Sequence, residues 1–276
     1  MPDEFSLEQS YDEYERIEAE FQSVLDISLD PRGPEMLYDL VAGFGLEAGS
    51  RAVDVGCGKG RHAVQLAARF GLDITGIDPV HRHIDLANQE LAKGAERTPG
   101  LRARVRFEVG VAEALPFDDA RLDLVWCRDV LVHVIELDRA FTEFRRVLKA
   151  GGHALVYQSS LATDRLEPRE ADWLQKAMGI VPSSVDPVHF ESAMSASGLR
   201  VDERIDIGSE WGELAQERSG AGGRRLIHAA RLLRNPQRYI TRFGQAAYDI
   251  MLGDCLWHVY RMIGKHDARV YLLSRP

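Results

Sequence analysis

The stretch RAVDVGCGKGRH, residues 51–62, decides how the rest of the sequence is interpreted. It begins as a short apolar strand and continues into a turn in which Gly56, Gly58 and Gly60 alternate with other residues. Glycines permit positive φ angles and let a ligand approach the backbone closely. Such turns usually bind phosphate groups, yet Asp54 precedes the first glycine by two residues and its carboxylate repels phosphate. The turn therefore predicts a ligand that carries a positive group.

Strand and helix patterns alternate over residues 51–160. Apolar runs such as RAVDV and LDLVWCR predict buried strands, and the segments between them have helical spacing and end at glycines. This order predicts right-handed βαβ units, and hence an α/β fold with a parallel sheet and helices on both faces. Residues 5–26 and 210–262 have mainly helical patterns and are predicted to be additions to this core.

Composition narrows the classes of function. The 276 residues carry 34 basic and 43 acidic side chains, a net charge of −9, which disfavours nonspecific nucleic-acid binding. No apolar run is long enough to span a membrane, and the first twenty residues lack the pattern of a secretory or transit signal. Cys57, Cys127 and Cys255 are far apart and show no zinc-ligand spacing. We expect a cytoplasmic protein with no metal site, no membrane partner and no nucleic-acid partner.

Two ligand classes compete for the glycine turn. Dinucleotide sites are normally spaced G-x-G-x-x-G, whereas the spacing here is G-x-G-x-G with an acid before it. Asp78 ends the second predicted strand, where a carboxylate can accept hydrogen bonds from two ribose hydroxyls. A ribose with a cationic group and no pyrophosphate describes S-adenosylmethionine. A nicotinamide-dependent oxidoreductase stays open as the alternative.

Over about residues 50–160, the chain resembles class I S-adenosylmethionine-dependent methyltransferases. The motifs that carry the resemblance follow in the order of the family: VDVGCGKG, GID, VRFEVGVAEALPF, DLVWCRDVLVHV and RVLKAGG. The resemblance implies a Rossmann-like seven-stranded sheet whose last strand, ARVYLLSR, runs antiparallel. It divides the chain into an N-terminal helical arm or lid (1–45), a donor-binding core (46–209 and 263–276) and a helical insertion that covers the acceptor (210–262).

The resemblance also implies the donor site. Asp54 and Gly56 would lie near the amino-acid end of S-adenosylmethionine, Asp78 would hold the ribose, and the residue after it would flank the adenine. Many members carry an aspartate where this chain has Val111, so Glu113 or Arg128 would compensate. The full predicted donor set is Asp54, Gly56, Cys57, Gly58, Gly60, Asp78, Pro79, Val111, Ala112, Glu113, Cys127, Arg128 and Tyr11.

Acceptor chemistry is predicted in WCRDVLVHV, residues 126–134. Asp129 and His133 are four residues apart, and a helix would place them on one face. The pair resembles that of phosphoethanolamine and natural-product methyltransferases, in which a tyrosine of the N-terminal helix joins the histidine; Tyr14 or Tyr11 would supply it here. The alternatives are a purely structural His133, an N-cap role for Asp129, and packing of the tyrosines on the core. The other histidines near the motifs, His62, His81 and His83, are predicted to lie on the surface.

Together these features predict an enzyme that transfers a methyl group from S-adenosylmethionine to a small molecule by in-line displacement. Its product would be S-adenosylhomocysteine, its acceptor atom oxygen or nitrogen with carbon open, and its setting specialised metabolism. The second alternative is a protein of the same fold that binds the donor without catalysis. A homodimer is one option for its assembly.

Overall fold

Seven strands form one sheet in the computed structural model, which describes residues 6–276. The strands are β1 (Arg51–Val55), β2 (Asp73–Asp78), β3 (Val105–Val109), β4 (Leu122–Arg128), β5 (Leu148–Ala162), β6 (Arg200–Asp206) and β7 (His266–Ser274). Their order across the sheet is β3-β2-β1-β4-β5-β7-β6. Strands β1 to β5 pair in parallel, and β7 is antiparallel to both β5 and β6. The predicted α/β, Rossmann-like sheet with an antiparallel last strand is confirmed.

The helices lie between the strands and in the two predicted additions. They are α1 (Leu7–Leu25), α2 (Met36–Gly43), α3 (Arg61–Phe70), α4 (His81–Arg97), α5 (Leu101–Arg104), α6 (Leu137–Val147), α7 (Pro168–Met178), α8 (Pro187–Ala196), α9 (Glu210–Ser219), α10 (Ala221–Arg234), α11 (Pro236–Phe243) and α12 (Gln245–Met262). Over residues 6–276, none of these helices is both long and apolar enough to cross a membrane.

The core has one layer on each face of the sheet. Successive strand residues point to opposite faces, so Trp126 of β4 packs with the cluster that includes residues of α2, α3 and α4, while Cys127 packs with the other cluster. Phe141 of α6 and Phe190 of α8 belong to that second cluster and meet edge to face. Both faces of the central strands are therefore buried, as expected for parallel strands covered by helices.

The strand order reverses between β1 and β4, and this reversal positions the site. Asp54 pairs with Trp126, and Val55 pairs with Cys127, so the carboxyl ends of the two strands lie side by side. In open α/β sheets, ligands bind in the crevice beyond such a reversal. The glycine turn after β1 and the segment after β4 are thereby brought together.

Several local predictions differ from the structure. Residues 129–133 do not form a regular helix: Asp129 has a φ of 56°, and a 3₁₀ turn follows at Leu131–His133. The helical segments were predicted to end at glycines, but α6 ends at Val147, before Gly151, because Leu148 already pairs with Leu122 in the sheet. The division into arm, core and insertion stays a prediction.

Candidate active site

A cavity of about 520 Å³ opens beyond the carboxyl ends of the parallel strands. Its volume lies in the range of small-molecule sites, about 300–1,000 Å³. Four segments contribute to it, namely the turn after β1, the end of β2, the loop after β3 and the segment after β4. The lining residues are Val55, Gly56, Gly58, Ile77, Asp78, Pro79, Val80, His83, Gly110, Val111, Ala112, Glu113, Asp129, Val130, His133 and Val134.

The glycine turn has one packed side and one open side. Gly56 has a φ of 68°, and a Cβ atom there would lie 2.2 Å from Cγ2 of Val130. Gly58 has a φ of 52°, lines the cavity, and has no atom within 4 Å of the place where its Cβ would be. Gly60 lies outside the lining, because it packs against Phe107 and precedes α3. The turn therefore leaves room for a ligand at Gly58.

Asp78 is the main hydrogen-bond acceptor of the cavity. Its Oδ2 accepts a hydrogen bond from the Gly58 N–H at 3.0 Å, and its Oδ1 accepts one from the Val80 N–H at 2.9 Å. Nδ1 of His83 lies 3.0 Å from the same Oδ1. A carboxylate offers about four lone-pair positions, so Asp78 can still accept from a ribose hydroxyl. His83, which was predicted to lie on the surface, has a side chain that is 42% exposed, and it also contacts Asp78 and lines the cavity.

Asp54 lies behind the cavity and not on its wall. It is only 2% exposed, and its Oδ2 accepts a hydrogen bond from the Ala63 N–H at 3.1 Å, in the first turn of α3. Burial raises the pKa of this carboxyl group to about 7. Cys57 and Cys127 are also buried and lie outside the lining. A direct contact between Asp54 and a donor's amino group stays a prediction.

Arg128 is not among the residues that line the cavity and belongs to a polar cluster with His62 and Tyr38. Its Nη1 donates to Nε2 of His62, and Nδ1 of His62 lies 2.7 Å from the Tyr38 hydroxyl. Burial lowers the pKa of His62 to about 3, so its ring is neutral. The prediction that His62 lies on the surface is wrong. The signal for burial was its spacing, since it precedes the buried Leu66 by four residues on α3.

Asp129 and His133 line the same cavity as the glycine turn, although no helix joins them. The Asp129 N–H donates to the Tyr157 carbonyl at 2.9 Å, and its Oδ1 accepts from the Ser159 N–H at 2.9 Å. These bonds to β5 hold the positive φ of Asp129 in place. Burial raises the pKa of the Asp129 carboxyl group.

The ring of His133 is held in one tautomer. Its Nδ1 lies 2.8 Å from the Gly179 carbonyl oxygen, which can only accept a hydrogen bond. Nδ1 must therefore carry a hydrogen, and in the neutral ring the lone pair lies on Nε2. This arrangement is that of a general base.

Tyr11 and Tyr14 are not brought to the cavity. They are 65% and 57% exposed on α1, and the Tyr14 hydroxyl donates to Oε1 of Glu18 at 2.9 Å. No residue of α1 is buried. Their predicted roles at the donor and at His133 stay predictions.

The residues present fit an adenosyl sulfonium better than a pyrophosphate. Three carboxylates, Asp78, Glu113 and Asp129, line the cavity, and its lining includes no lysine or arginine. The open side of Gly58 and the acceptor Asp78 suit a ribose, and the apolar wall of Ile77, Val111 and Ala112 suits an adenine. Across residues 6–276, no three His, Cys, Asp or Glu side chains come together as a metal site requires.

Comparison with known proteins identifies the family of the chain. A methyltransferase-domain family model matches residues 53–156. O-methyltransferase rstn1 of Aspergillus nomiae is 34% identical over 161 residues, covering 58% of this chain and 68% of that protein. Methyltransferase GfsG of Streptomyces halstedii is 30% identical over 132 residues, or 47% of this chain and 46% of that protein. The [4+2]-cyclase SpnF, a solved structure, aligns with a TM-score of 0.66 at 23% identity, over 97% of this chain and 96% of that one.

The fold, the glycine turn and these matches define one class of protein. The chain belongs to the class I S-adenosylmethionine-dependent methyltransferases, which confirms the family resemblance of its motifs. It spans less than half the length of GfsG, 46%.

Proposed function

We propose that this protein transfers the methyl group of S-adenosylmethionine to an oxygen or nitrogen atom of a small molecule, with carbon as the third option, and releases S-adenosylhomocysteine. One observation carries the proposal. His133, with a free Nε2, and Asp129 line the same cavity as the glycine turn and Asp78.

The donor would be held by residues from four segments. Asp78 accepts from the ribose hydroxyls, Gly58 lets the backbone pass close to the ligand, and Pro79, Val111 and Ala112 enclose the adenine. Glu113 lines the cavity and would accept from the adenine amino group, whereas Arg128 is not among the lining residues. The donor's methyl group is already activated for displacement, so alignment supplies much of the rate.

The acceptor loses a proton when oxygen or nitrogen is methylated. Nε2 of His133 accepts that proton, and the Gly179 carbonyl then stabilises the resulting imidazolium through Nδ1–H. The Asp129 carboxylate faces the same cavity and orients a hydroxyl or amino group of the acceptor. The name of the A. nomiae relative, an O-methyltransferase, favours oxygen as the acceptor atom.

Two other functions are less well supported. A nicotinamide dinucleotide would place a pyrophosphate among three carboxylates, which repel it. Binding of the donor without methyl transfer has more support, because the neighbour SpnF is named as a cyclase. The same fold can therefore serve other reactions, and the test must measure transfer itself. A cytoplasmic setting, specialised metabolism and a homodimer stay parts of this proposal.

The donor site is tested by calorimetry with S-adenosylhomocysteine and with NAD. We expect S-adenosylhomocysteine to bind and NAD to give no signal. Asp78→Asn removes the charged acceptor and should weaken the binding of S-adenosylhomocysteine about 10- to 100-fold. Asp85→Asn, at an exposed position of α4, is the matched control and should bind as the wild type does. Equal affinity of both variants would contradict the role of Asp78.

The transfer step is tested with a methyl-labelled donor and fractions of a cell extract. Once a methylated product is found, His133→Ala should lower kcat about 10²- to 10⁴-fold with unchanged affinity for S-adenosylhomocysteine. His81→Ala, at an exposed histidine of α4, should transfer normally. Donor binding without any labelled product would favour the non-catalytic alternative.

A further inference from the structure

A second cavity, of about 280 Å³, lies between α9, α10 and α12. Its lining combines an apolar side with a cationic side. The apolar side is formed by Trp211, Met262 and Pro34, and the cationic side is formed by the guanidinium groups of Arg225 and Arg261. The ring of His258 is also part of the lining. No carboxylate is among its lining residues.

Arg261 forms no salt bridge with a carboxylate of residues 6–276, although its charge acts on the more distant Asp129 carboxyl group. Arg225 pairs with Asp254, and Nδ1 of His258 lies 2.8 Å from the Asp254 carbonyl oxygen. In the described part of the chain, no carboxylate oxygen lies within 4.0 Å of the Arg261 guanidinium; its Nη1 lies 3.4 Å from the Tyr157 hydroxyl. A partly buried guanidinium that makes no salt bridge can still form charge-assisted hydrogen bonds with an anionic ligand.

Hydrogen-bond donors without acceptors collect around this cavity. Trp211 is 7% exposed, and its buried Nε1–H has no acceptor. The Nε–H of Arg261 and the Nε–H of Arg128 are also buried without acceptors. Arg128 is close by, with its guanidinium carbon 5.4 Å from the centroid of the Trp211 ring. Buried polar groups are normally hydrogen-bonded, so these donors indicate that a ligand with acceptor oxygens belongs here.

The contacts of one residue, Tyr157, link the second cavity to the donor cavity. Tyr157 stacks on Trp211 at 4.4 Å and contacts Arg261 through its hydroxyl. Its carbonyl accepts from the N–H of Asp129, which lines the donor cavity. A molecule seated against Trp211 and Arg261 is therefore one residue pair away from the place where methyl transfer is proposed.

We propose that this second cavity binds a small anion, a carboxylate or phosphate monoester with an apolar body, as part of the methyl acceptor. Arg261 and the Trp211 Nε1–H bind the anionic oxygens, and the Trp211 ring and Met262 contact the apolar body. The assignment of this anion to the acceptor rests on the proposed function. The binding of the anion does not.

The probes are benzoate and phenyl phosphate, with benzamide as the neutral control. Calorimetry is run on the full chain, both alone and saturated with S-adenosylhomocysteine. We expect at least one anion to bind in both states and benzamide to give no signal. Arg261→Gln should weaken anion binding about tenfold or more and leave the affinity for S-adenosylhomocysteine unchanged. Arg224→Gln, on the exposed side of α10, is the matched control and should bind as the wild type does.

Three results would overturn the inference. Benzamide that binds as well as benzoate would show that charge is not recognised. Competition between benzoate and S-adenosylhomocysteine would show that the anion site holds the donor's own carboxylate. Unchanged affinity in Arg261→Gln would remove Arg261 from the site.

Two further measurements distinguish failure of the anion site from misfolding of a variant and from failure of the proposed function. If Arg261→Gln does not fold, Trp211→Phe keeps the stacked ring and removes the unpaired N–H, and it should also weaken anion binding. A wild type that binds benzoate but not S-adenosylhomocysteine would contradict the proposed function and still support the anion site.

Discussion

Asp54 and His62 flank the glycine turn, and burial shifts their pKa values in opposite directions. The pKa of Asp54 rises to about 7, so between about pH 4 and 7 the folded protein binds more protons there than the unfolded chain does. Its contribution to the free energy of unfolding therefore falls as pH rises. The pKa of His62 falls to about 3, so between about pH 3 and 6.5 the unfolded chain binds more protons. The contribution of His62 therefore rises with pH, and the two oppose each other.

Replacement of Asp54 should expose the contribution of the histidine. In Asp54→Asn the amide oxygen still accepts from the Ala63 N–H, but the titration is lost. We expect the free energy of unfolding to rise more steeply from pH 4 to 6.5 than it does in the wild type. Urea unfolding at a series of pH values measures this slope, with the exposed Asp85→Asn as the control. Parallel curves for wild type and Asp54→Asn would refute the prediction.

At the scale of single residues, the sequence predicted the position of the hydrogen-bond acceptor Asp78 better than it predicted the contacts of the residues around the site. Asp78 could be placed at the cavity because it ends a strand, and strand ends meet at one edge of a parallel sheet. The spacing of His62 on α3 signalled its burial, but its hydrogen-bond partners Arg128 and Tyr38 are distant in sequence. Pairings of that kind arise only from the folded chain.

At the scale of elements, the glycine turn separates packing from ligand access. Gly56 faces Val130, whereas Gly58 faces open space in the cavity. A side chain should therefore affect folding at the first position and ligand binding at the second.

Alanine substitutions should resolve the two roles. Gly58→Ala and Gly151→Ala both place an alanine at positive φ with no atom within 4 Å, at a cost of about 1–2 kcal/mol each. Thermal unfolding should show similar losses for both, but only Gly58→Ala should weaken the binding of S-adenosylhomocysteine. Gly56→Ala should be the least stable, because it adds a clash with Val130. If Gly151→Ala weakened the binding of S-adenosylhomocysteine equally, backbone strain alone would explain the effect of Gly58→Ala, and the role of Gly58 in ligand access would be contradicted.

The segment after β4 shows why spacing was an incomplete guide. A separation of four residues predicted one helical face for Asp129 and His133, and the two residues do share a cavity. They share it through a left-handed residue and a 3₁₀ turn. Hydrogen bonds to Tyr157 and Ser159 of β5 impose that conformation, and local sequence carries no sign of them.

At the scale of the whole molecule, stability is unevenly distributed. The central strands are buried on both faces, whereas α1 buries no residue and exposes several apolar side chains, namely Leu7, Tyr11, Tyr14, Phe21 and Leu25. These exposed apolar side chains are consistent with the predicted lid, since closure over the donor would cover them.

Hydrogen exchange on the full chain tests this distribution. We expect amides of α1 to exchange well before those of β4, because local opening of α1 exposes no core. Saturating S-adenosylhomocysteine should slow exchange in α1 if the helix closes over the donor. The exposed helix α11 is the internal control and should not respond. Protection of α1 that is unchanged by the ligand would contradict the lid.

The position of β7 has a consequence for biosynthesis. This nine-residue strand lies between β5 and β6 in the sheet. Within residues 6–276, β6 pairs with β7 alone, so β7 connects β6 to the other strands. While a ribosome is still translating residues 266–274, β6 cannot dock, and one edge of β5 stays open to chaperones or to other nascent chains. The sheet is therefore completed only after this strand has emerged from the ribosome.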